Sequence, residues 1–125
     1  MGKPVRPEVA RKVREMLIGV TEEGGTGKRA TVPGYSVGGK TGTAQKAVPG
    51  GYSSTDYYAS FVGFVPAHNP VFSVLVSVEA PRPQKTGGYV SAPAFAKIAS
   101  ATARYLEVPP DEPVEEGEEK DEGRP

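Results

Sequence analysis

The sequence predicts an α+β fold in which a three-stranded antiparallel sheet is covered on one face by N- and C-terminal helices. Apolar residues recur at helical spacing near both ends of the chain, and three stretches between them are rich in β-branched and aromatic residues. The second and third stretches are joined by a short link, which favours an antiparallel hairpin over a crossover. Because each helix has one apolar stripe, packing both on the sheet buries that surface.

Residues 7–20 form the first predicted helix. Pro7 suits the first helical position, and Val9, Val13 and Leu17 recur at the spacing of one helix face. Arg6 precedes them and is a poor N-cap. A glycine-rich loop at residues 22–27 ends this helix and acts as a connection.

Three strands are expected at residues 35–45, 57–65 and 71–78. The first has a glycine-rich middle that permits another backbone to approach closely. A turn or loop at residues 48–51 separates it from the second strand, which Pro66 stops. The third strand alternates apolar and small polar residues over part of its length, as a strand with two different faces does.

A second helix is predicted to begin near Pro93 with Ser91 as its N-cap, and to end before Pro109. Residues 111–125 hold eight acidic and two basic residues, so residues 109–125 are expected to form a disordered acidic tail. The folded domain then spans residues 7–108, and residues 1–6 are a leading linker.

Composition excludes several classes of site. The chain of 125 residues has no cysteine and a single histidine, His68, so no metal site and no cofactor are expected. Residues 1–110 carry a net charge of +6, but the basic residues are scattered, which argues against nucleic-acid binding. No apolar run approaches the roughly 18 residues of a membrane helix, so this chain is not expected to insert directly into a membrane.

The stretch from Gly38 to Thr43 carries the chemistry, and it has three interpretations. Residues 34–41 match the pattern of a nucleotide-binding phosphate loop, but the preceding segment is short and polar, and Gly42 disfavours a helix that begins at Lys40. Lys40-Thr41-Gly42 also matches the Lys-Thr-Gly element of serine acyl transferases that react with β-lactams, in which the lysine lies on a strand beside the active site. The third interpretation is a lysine on an ordinary glycine-containing strand.

The wider sequence resembles class B penicillin-binding proteins, particularly the septal cell-division type. Residues 32–46 resemble the Lys-Thr-Gly strand of that family, residues 57–66 resemble the strand that follows it, and residues 87–95 resemble the segment that leads into its last helix. The similarity runs in order from about Pro7 to Pro110. It implies the C-terminal part of a β-lactamase/transpeptidase-like domain in a peptidoglycan D,D-transpeptidase.

The resemblance also implies roles for individual residues. Lys40 and Thr43 would be catalytic, with the Thr43 backbone N–H in the oxyanion hole and the hydroxyls of Thr41 and Thr43 on the carboxylate of a stem peptide or β-lactam. The substrate- and penicillin-binding set would comprise Gly39, Lys40, Thr41, Gly42, Thr43 and Ala44.

The family's Ser-x-x-Lys nucleophile and Ser-x-Asn element do not occur in this sequence. The chain is therefore not expected to be an enzyme on its own, and its partner would be the N-terminal part of the transpeptidase domain. The resemblance places the parent protein outside the cytoplasm, anchored to the cytoplasmic membrane by a segment absent here. The alternative is a non-catalytic module of the same fold that binds peptidoglycan or a division partner. Self-association through the open edge of the third strand is a further expectation.

Overall fold

Two α-helices flank three antiparallel strands in the computed structural model, which describes residues 2–22, 25–82 and 86–113. The elements follow one another along the chain as α1 (Pro7–Thr21), a 3₁₀ turn (Lys28–Ala30), β1 (Gly38–Val48), β2 (Gly51–Val65), β3 (Phe72–Glu79) and α2 (Gly87–Tyr105). Both strand pairs are antiparallel and the sheet order is β1-β2-β3. The predicted α+β class and three-stranded antiparallel sheet are confirmed.

The β1–β2 hairpin is longer and tighter than the sequence predicted. The connection at residues 48–51 was expected as a loop with β2 starting at Tyr57, but β2 begins at Gly51. Gly50 and Gly51 have φ of +86° and +156°, and this left-handed backbone lets the chain reverse within a tight turn. Pairing therefore continues to Val48 opposite Gly51, with one register shift between Gln45 and Ala47.

The first strand also begins later than predicted. Residues 35–37 were expected to be extended strand, but Val32 and Tyr35 form an isolated bridge around a turn in which Gly34 has φ of +86°. The turn breaks the extended backbone, and β1 begins at Gly38.

The core lies between α2 and one face of the sheet. The rings of Phe61 on β2 and Phe95 on α2 are fully buried, with centroids 4.8 Å apart and planes inclined by 57°. Gly63 lies under this pair, because a Cβ atom there would come within 2.6 Å of the Phe95 ring. The small residue lets α2 approach the sheet closely enough to bury both rings.

The start of α2 corrects the prediction at Ser91 and Pro93. The helix begins at Gly87, so Ser91 is not its N-cap and Pro93 lies inside it. The Ser91 hydroxyl is buried and donates a hydrogen bond of 2.7 Å to the carbonyl of Ala59 on β2. Ser91 therefore fixes the helix to the sheet instead of capping it.

The first helix follows the prediction, with Pro7 in its first turn and Arg6 at the N-cap position without a side-chain capping bond. It contacts β1 and the 3₁₀ turn. Val13 and Leu17 line an apolar cavity of about 370 Å³ together with Phe64, whose side chain is on the sheet face opposite Phe61. In the described part of the chain, neither helix has the length and apolar character required to span a membrane.

The C-terminal segment corrects part of the predicted disordered tail. Residues 114–125 lie outside the described residues, but residues 109–113 are described and are attached to the domain. The backbone N–H groups of Asp111 and Glu112 both donate to the carbonyl of Gly34, at 3.1 Å each. The expected boundary at residue 109 was therefore too early, because these residues have hydrogen-bond partners that their composition does not indicate.

Candidate active-site strand

The candidate site lies on β1, at the edge of the sheet. The six residues of the predicted substrate-binding set, Gly39 to Ala44, are consecutive positions of this strand, so the fold keeps them together. Lys40 pairs opposite Val62 and its side chain is exposed. Its Nζ donates to the carbonyl of Thr41 at 3.1 Å and lies 3.4 Å from the Thr41 hydroxyl. The ammonium is thus held against the strand with one side open to solvent.

The strand geometry excludes the phosphate-loop interpretation. In a phosphate loop a helix begins at the lysine, and its first N–H groups surround the phosphates. Lys40 instead lies inside an extended strand that continues to Val48. No helix starts there, so that interpretation of residues 34–41 is wrong.

Close contacts with β2 explain the glycines around Lys40. A Cβ atom at Gly39 would lie 2.5 Å from the carbonyl oxygen of Val62 and 2.6 Å from the Phe61 ring. At Gly42 a Cβ atom would come within 2.8 Å of the Ser60 hydroxyl. The glycines therefore allow β1 to pack tightly against β2, as the sequence predicted for a close backbone approach.

The first turn of α2 meets the strand at Thr43. The Gly87 N–H donates to the Thr43 hydroxyl at 3.2 Å, and a Cβ atom at Gly87 would lie 2.1 Å from the Ser60 carbonyl oxygen and 2.8 Å from that of Gly42. The N-terminus of a helix carries a partial positive charge, so this contact places the Thr43 hydroxyl in a field that favours anions. Lys40 adds a full positive charge on the same strand.

Two further contacts lie near this strand. The Thr41 hydroxyl donates to the hydroxyl of Thr26 at 3.2 Å. The Arg29 guanidinium lies over the ring of Tyr89, 4.0 Å from its centroid, and so joins the 3₁₀ turn to the first turn of α2. Both hydroxyls of the Thr41–Thr26 pair are exposed and can accept or donate further bonds.

Thr26 and Gly87 are two residues of this surface that the sequence does not predict. Thr26 belongs to a glycine-rich loop that was interpreted as a simple connection, and nothing in its neighbours marks it. Gly87 did have a signal: two consecutive glycines before a helical pattern indicate a close backbone approach. The partner of that approach, the Gly42 carbonyl, is visible only in the fold.

Two ion pairs join the β1–β2 hairpin to the C-terminal end of β3 and the residues after it. Hydrogen bonding to the Arg82 guanidinium lowers the pKa of the Asp56 carboxyl, with burial opposing that shift. Hydrogen bonding and charge attraction from Glu79 raise the pKa of the Lys46 ammonium. Among the described residues, no group of three or more His, Cys, Asp or Glu side chains is placed to hold a metal ion.

Comparison with protein families decides the membership of the chain. The family model described as the penicillin-binding protein transpeptidase domain matches residues 1–100. The chain belongs to this family. The resemblance to class B penicillin-binding proteins in the sequence is thereby confirmed.

Curated relatives and solved structures agree with this membership. The probable peptidoglycan D,D-transpeptidase PenA of Neisseria flavescens is 40% identical over 111 residues, which are 88% of this chain and 28% of that protein. The peptidoglycan D,D-transpeptidase FtsI of Escherichia coli (strain K12) is 38% identical over 112 residues, which are 88% of this chain and 19% of that protein. The chain thus spans less than a third of the length of these relatives.

The solved TP domain of penicillin-binding protein 3 from Burkholderia pseudomallei is 50% identical to the chain, with a TM-score of 0.77. That match covers 86% of this chain and 33% of the solved one. A peptidoglycan glycosyltransferase from Burkholderia ambifaria is 42% identical with a TM-score of 0.72, and the match covers 91% of this chain and 35% of that one. The sheet and helices of this chain therefore correspond to about a third of each structure.

Proposed function

We propose that this chain forms one wall of the acyl-transfer site of a serine-type peptidoglycan D,D-transpeptidase, the site that β-lactams acylate. The observation that carries the proposal is the edge strand β1, which presents Lys40 to solvent and holds the Thr43 hydroxyl against the N-terminal turn of α2. An extended edge strand can pair with an extended peptide, and a lysine with adjacent hydroxyls can bind the carboxylate of that peptide.

Each residue of the strand has a distinct part in this proposal. The Lys40 ammonium polarises the hydroxyl network and attracts the substrate carboxylate. The hydroxyls of Thr41 and Thr43 bind that carboxylate, and the backbone N–H of Thr43 stabilises the oxyanion. Gly39 and Gly42 let the strand pack closely on β2, and the small, exposed side chain of Ala44 leaves room for a peptide or antibiotic to lie alongside the strand.

The chain is proposed to be inactive alone. Acyl transfer needs an activated nucleophile, and no serine in the sequence is followed three residues later by lysine. The serine, its lysine and the Ser-x-Asn element would come from a complementary polypeptide, the N-terminal part of the transpeptidase domain. The complete protein would act on peptidoglycan outside the cytoplasm, held to the cytoplasmic membrane by its own anchor.

Fluorescent penicillin tests this function directly. The chain alone should show no covalent labelling by gel fluorescence and mass spectrometry. Addition of the part of the Burkholderia pseudomallei TP domain that the match does not cover should restore labelling on the added polypeptide. Lys40→Ala and Thr43→Val should each lower the labelling rate by about 10²-fold or more, whereas Thr55→Val, an exposed change in β2, should leave it unchanged.

The possible outcomes separate the two functions considered from the sequence. Labelling that depends on both polypeptides and on Lys40 supports the acyl-transfer wall. Absence of labelling in a stable complex of the two, with binding of a D-alanyl-D-alanine stem peptide to the chain alone, would instead favour the non-catalytic module.

A further inference from the structure

Ser36 occupies a buried junction just before the active-site strand. It is 3% exposed and lies two residues ahead of Gly38, the first residue of β1. Its backbone N–H donates to Oδ1 of Asp111 at 2.7 Å, and its hydroxyl donates to Oδ2 of the same carboxylate. One carboxylate thus accepts both donors of one buried residue, an arrangement that is strong because the acceptor is charged.

Asp111 belongs to a longer attachment, here called the C-terminal clasp and comprising residues 108–112. The Tyr35 hydroxyl donates to the carbonyl of Val108 at 2.5 Å, and Val108 itself is buried. The Gly34 carbonyl accepts from the N–H groups of Asp111 and Glu112. Contacts from three consecutive residues, 34–36, therefore join this clasp to the turn that precedes β1.

Ser36 also connects the clasp to the sheet. The Ala67 N–H, in the link between β2 and β3, lies 2.8 Å from the Ser36 hydroxyl oxygen and 2.9 Å from its carbonyl oxygen. The next residue, Val37, is buried, and its carbonyl accepts a bond of 2.7 Å from the Thr21 hydroxyl at the end of α1. The backbone that leads to Lys40 is thus held from three directions, by the clasp, the β2–β3 link and α1.

We propose that Asp111 is a positioning residue, which fixes the start of β1 so that residues 40–43 keep one alignment toward their ligand. What the strand binds rests on the proposed function. How firmly Asp111 holds the start of β1 can be measured without any ligand. Asp111 touches no candidate site residue in the described structure and acts through Ser36. It also lies beyond residues 1–100, the part that the family model matches.

The carboxylate is needed because both of its oxygens are used. Replacement by asparagine keeps the size but removes one acceptor and the charge, so one buried donor of Ser36 loses its partner. Replacement of Glu112 by glutamine removes the same charge one residue away. The Glu112 backbone bond to Gly34 is retained in that variant, and no side-chain bond of Glu112 is present in the described structure. Glu112→Gln is therefore the matched control for Asp111→Asn.

Amide hydrogen exchange of the full chain, followed residue by residue by NMR, tests the proposal. Asp111→Asn should speed exchange at Ser36 and residues 38–43 by about tenfold or more, while the amides of Phe61 and Phe95 stay within twofold. Glu112→Gln should change neither group. Equal exchange in the two variants would overturn the proposal. A uniform increase that includes Phe61 and Phe95 would overturn it too, because that indicates only a general loss of stability.

The unmodified chain provides a second measurement if Asp111→Asn does not fold. In low concentrations of urea, the amides of Ser36, Asp111 and Glu112 should exchange through the same local opening as those at the start of β1. Openings of different free energy at the clasp and at the strand would refute the coupling.

Labelling with fluorescent penicillin in the two-polypeptide complex adds the functional measurement. Asp111→Asn should slow labelling several-fold relative to Glu112→Gln, when each variant is saturated with the added TP-domain polypeptide. Equal labelling rates in the two variants would remove the positioning role. If the wild-type complex is not labelled at all, the proposed function fails, and the exchange measurements alone decide whether Asp111 fixes the strand.

Discussion

At the scale of single residues, close backbone contact decides the packing of the site. Gly87 is the clearest case, because a Cβ atom there would lie 2.1 Å from the Ser60 carbonyl oxygen, a backbone atom that cannot move aside. Gly87→Ala should therefore lower the free energy of unfolding by roughly 2–3 kcal/mol, measured by urea denaturation. It should also shift the NMR signals of the Thr43 amide and hydroxyl, because the Gly87 N–H donates to that hydroxyl.

Gly19→Ala is the matched control for this substitution. Gly19 lies within α1 and has no atom within 4 Å of its prospective Cβ. Alanine there should raise the free energy of unfolding by about 0.5–1 kcal/mol through helix propensity. Similar effects of the two substitutions would show that contact with β1 and β2 is not what requires glycine at position 87.

The residues of the candidate site differ in how far the sequence could predict them. Lys40 to Thr43 are consecutive, so one short stretch of sequence is enough to predict them as site residues. Thr26, Gly87 and Asp111 reach that stretch or its start only through tertiary contacts across 15, 44 and 75 positions. Asp111 was also not predicted because it begins an acidic stretch, whose composition predicts a solvated tail.

At the scale of elements, the types of helix and strand were predictable and their ends were not. Periodicity identified all three strands and both helices in the described part of the chain. The boundaries moved where glycines allow unusual geometry: Gly50 and Gly51 extend the hairpin, and Gly87 and Gly88 let α2 begin six residues before Pro93. A glycine marks a special backbone position in the sequence, but whether it ends an element or starts one depends on what packs against it.

The packing of α2 on the sheet depends on its central aromatic residue. Phe95 is fully buried against Phe61 and Gly63. Phe95→Ala should lower the free energy of unfolding by about 3–5 kcal/mol, because it leaves a cavity that the sheet cannot close. Tyr105→Ala, at the 86% exposed end of the same helix, should change it by less than about 0.5 kcal/mol. Urea denaturation measures both, and comparable losses would mean that α2 is not anchored through Phe95.

The hairpin ion pairs predict a defined dependence of stability on pH. Arg82 lowers the pKa of Asp56 in the folded chain, so this pair stabilises the fold when pH is above the unfolded carboxyl pKa. That contribution is lost as pH falls below about 4 through the folded pKa. The Lys46 pKa is raised, so the Lys46–Glu79 pair contributes below the unfolded lysine pKa and is lost as pH rises above it.

Asp56→Asn should therefore flatten the acid side of the stability profile, as measured by urea midpoints at a series of pH values. The difference should shrink in 1 M salt, because both groups are exposed to solvent. Ser54→Ala, at an exposed position of β2 two residues from Asp56, is the neighbouring control and should keep the acid slope. An unchanged acid slope in Asp56→Asn would show that the Arg82 pair does not contribute to stability.

At the scale of the whole molecule, the face of the sheet opposite Phe61 is only partly covered among the described residues, because α1 packs near Phe64 at one end of it. α2 covers the face with Phe61, but Val62 and Leu75 on the opposite face are 46% and 67% exposed. Within those residues no strand pairs with the outer edge of β3. An apolar face beside an open strand edge is a surface that other chains bind, because it offers both apolar area and unpaired backbone groups.

Self-association through this edge is the prediction at that scale. Sedimentation velocity should show dimers that form as concentration rises, with β3 of one copy beside β3 of another. Leu75→Lys places a charge in the middle of the edge strand and on its exposed face, so it should weaken dimerisation by about tenfold or more. Val48→Lys, at the exposed hairpin tip, adds the same charge away from β3 and should leave the dimer unchanged. A wild-type chain that stays monomeric across the concentration series would show that the edge of β3 does not pair. Equal dimer affinity of the two variants would show the same.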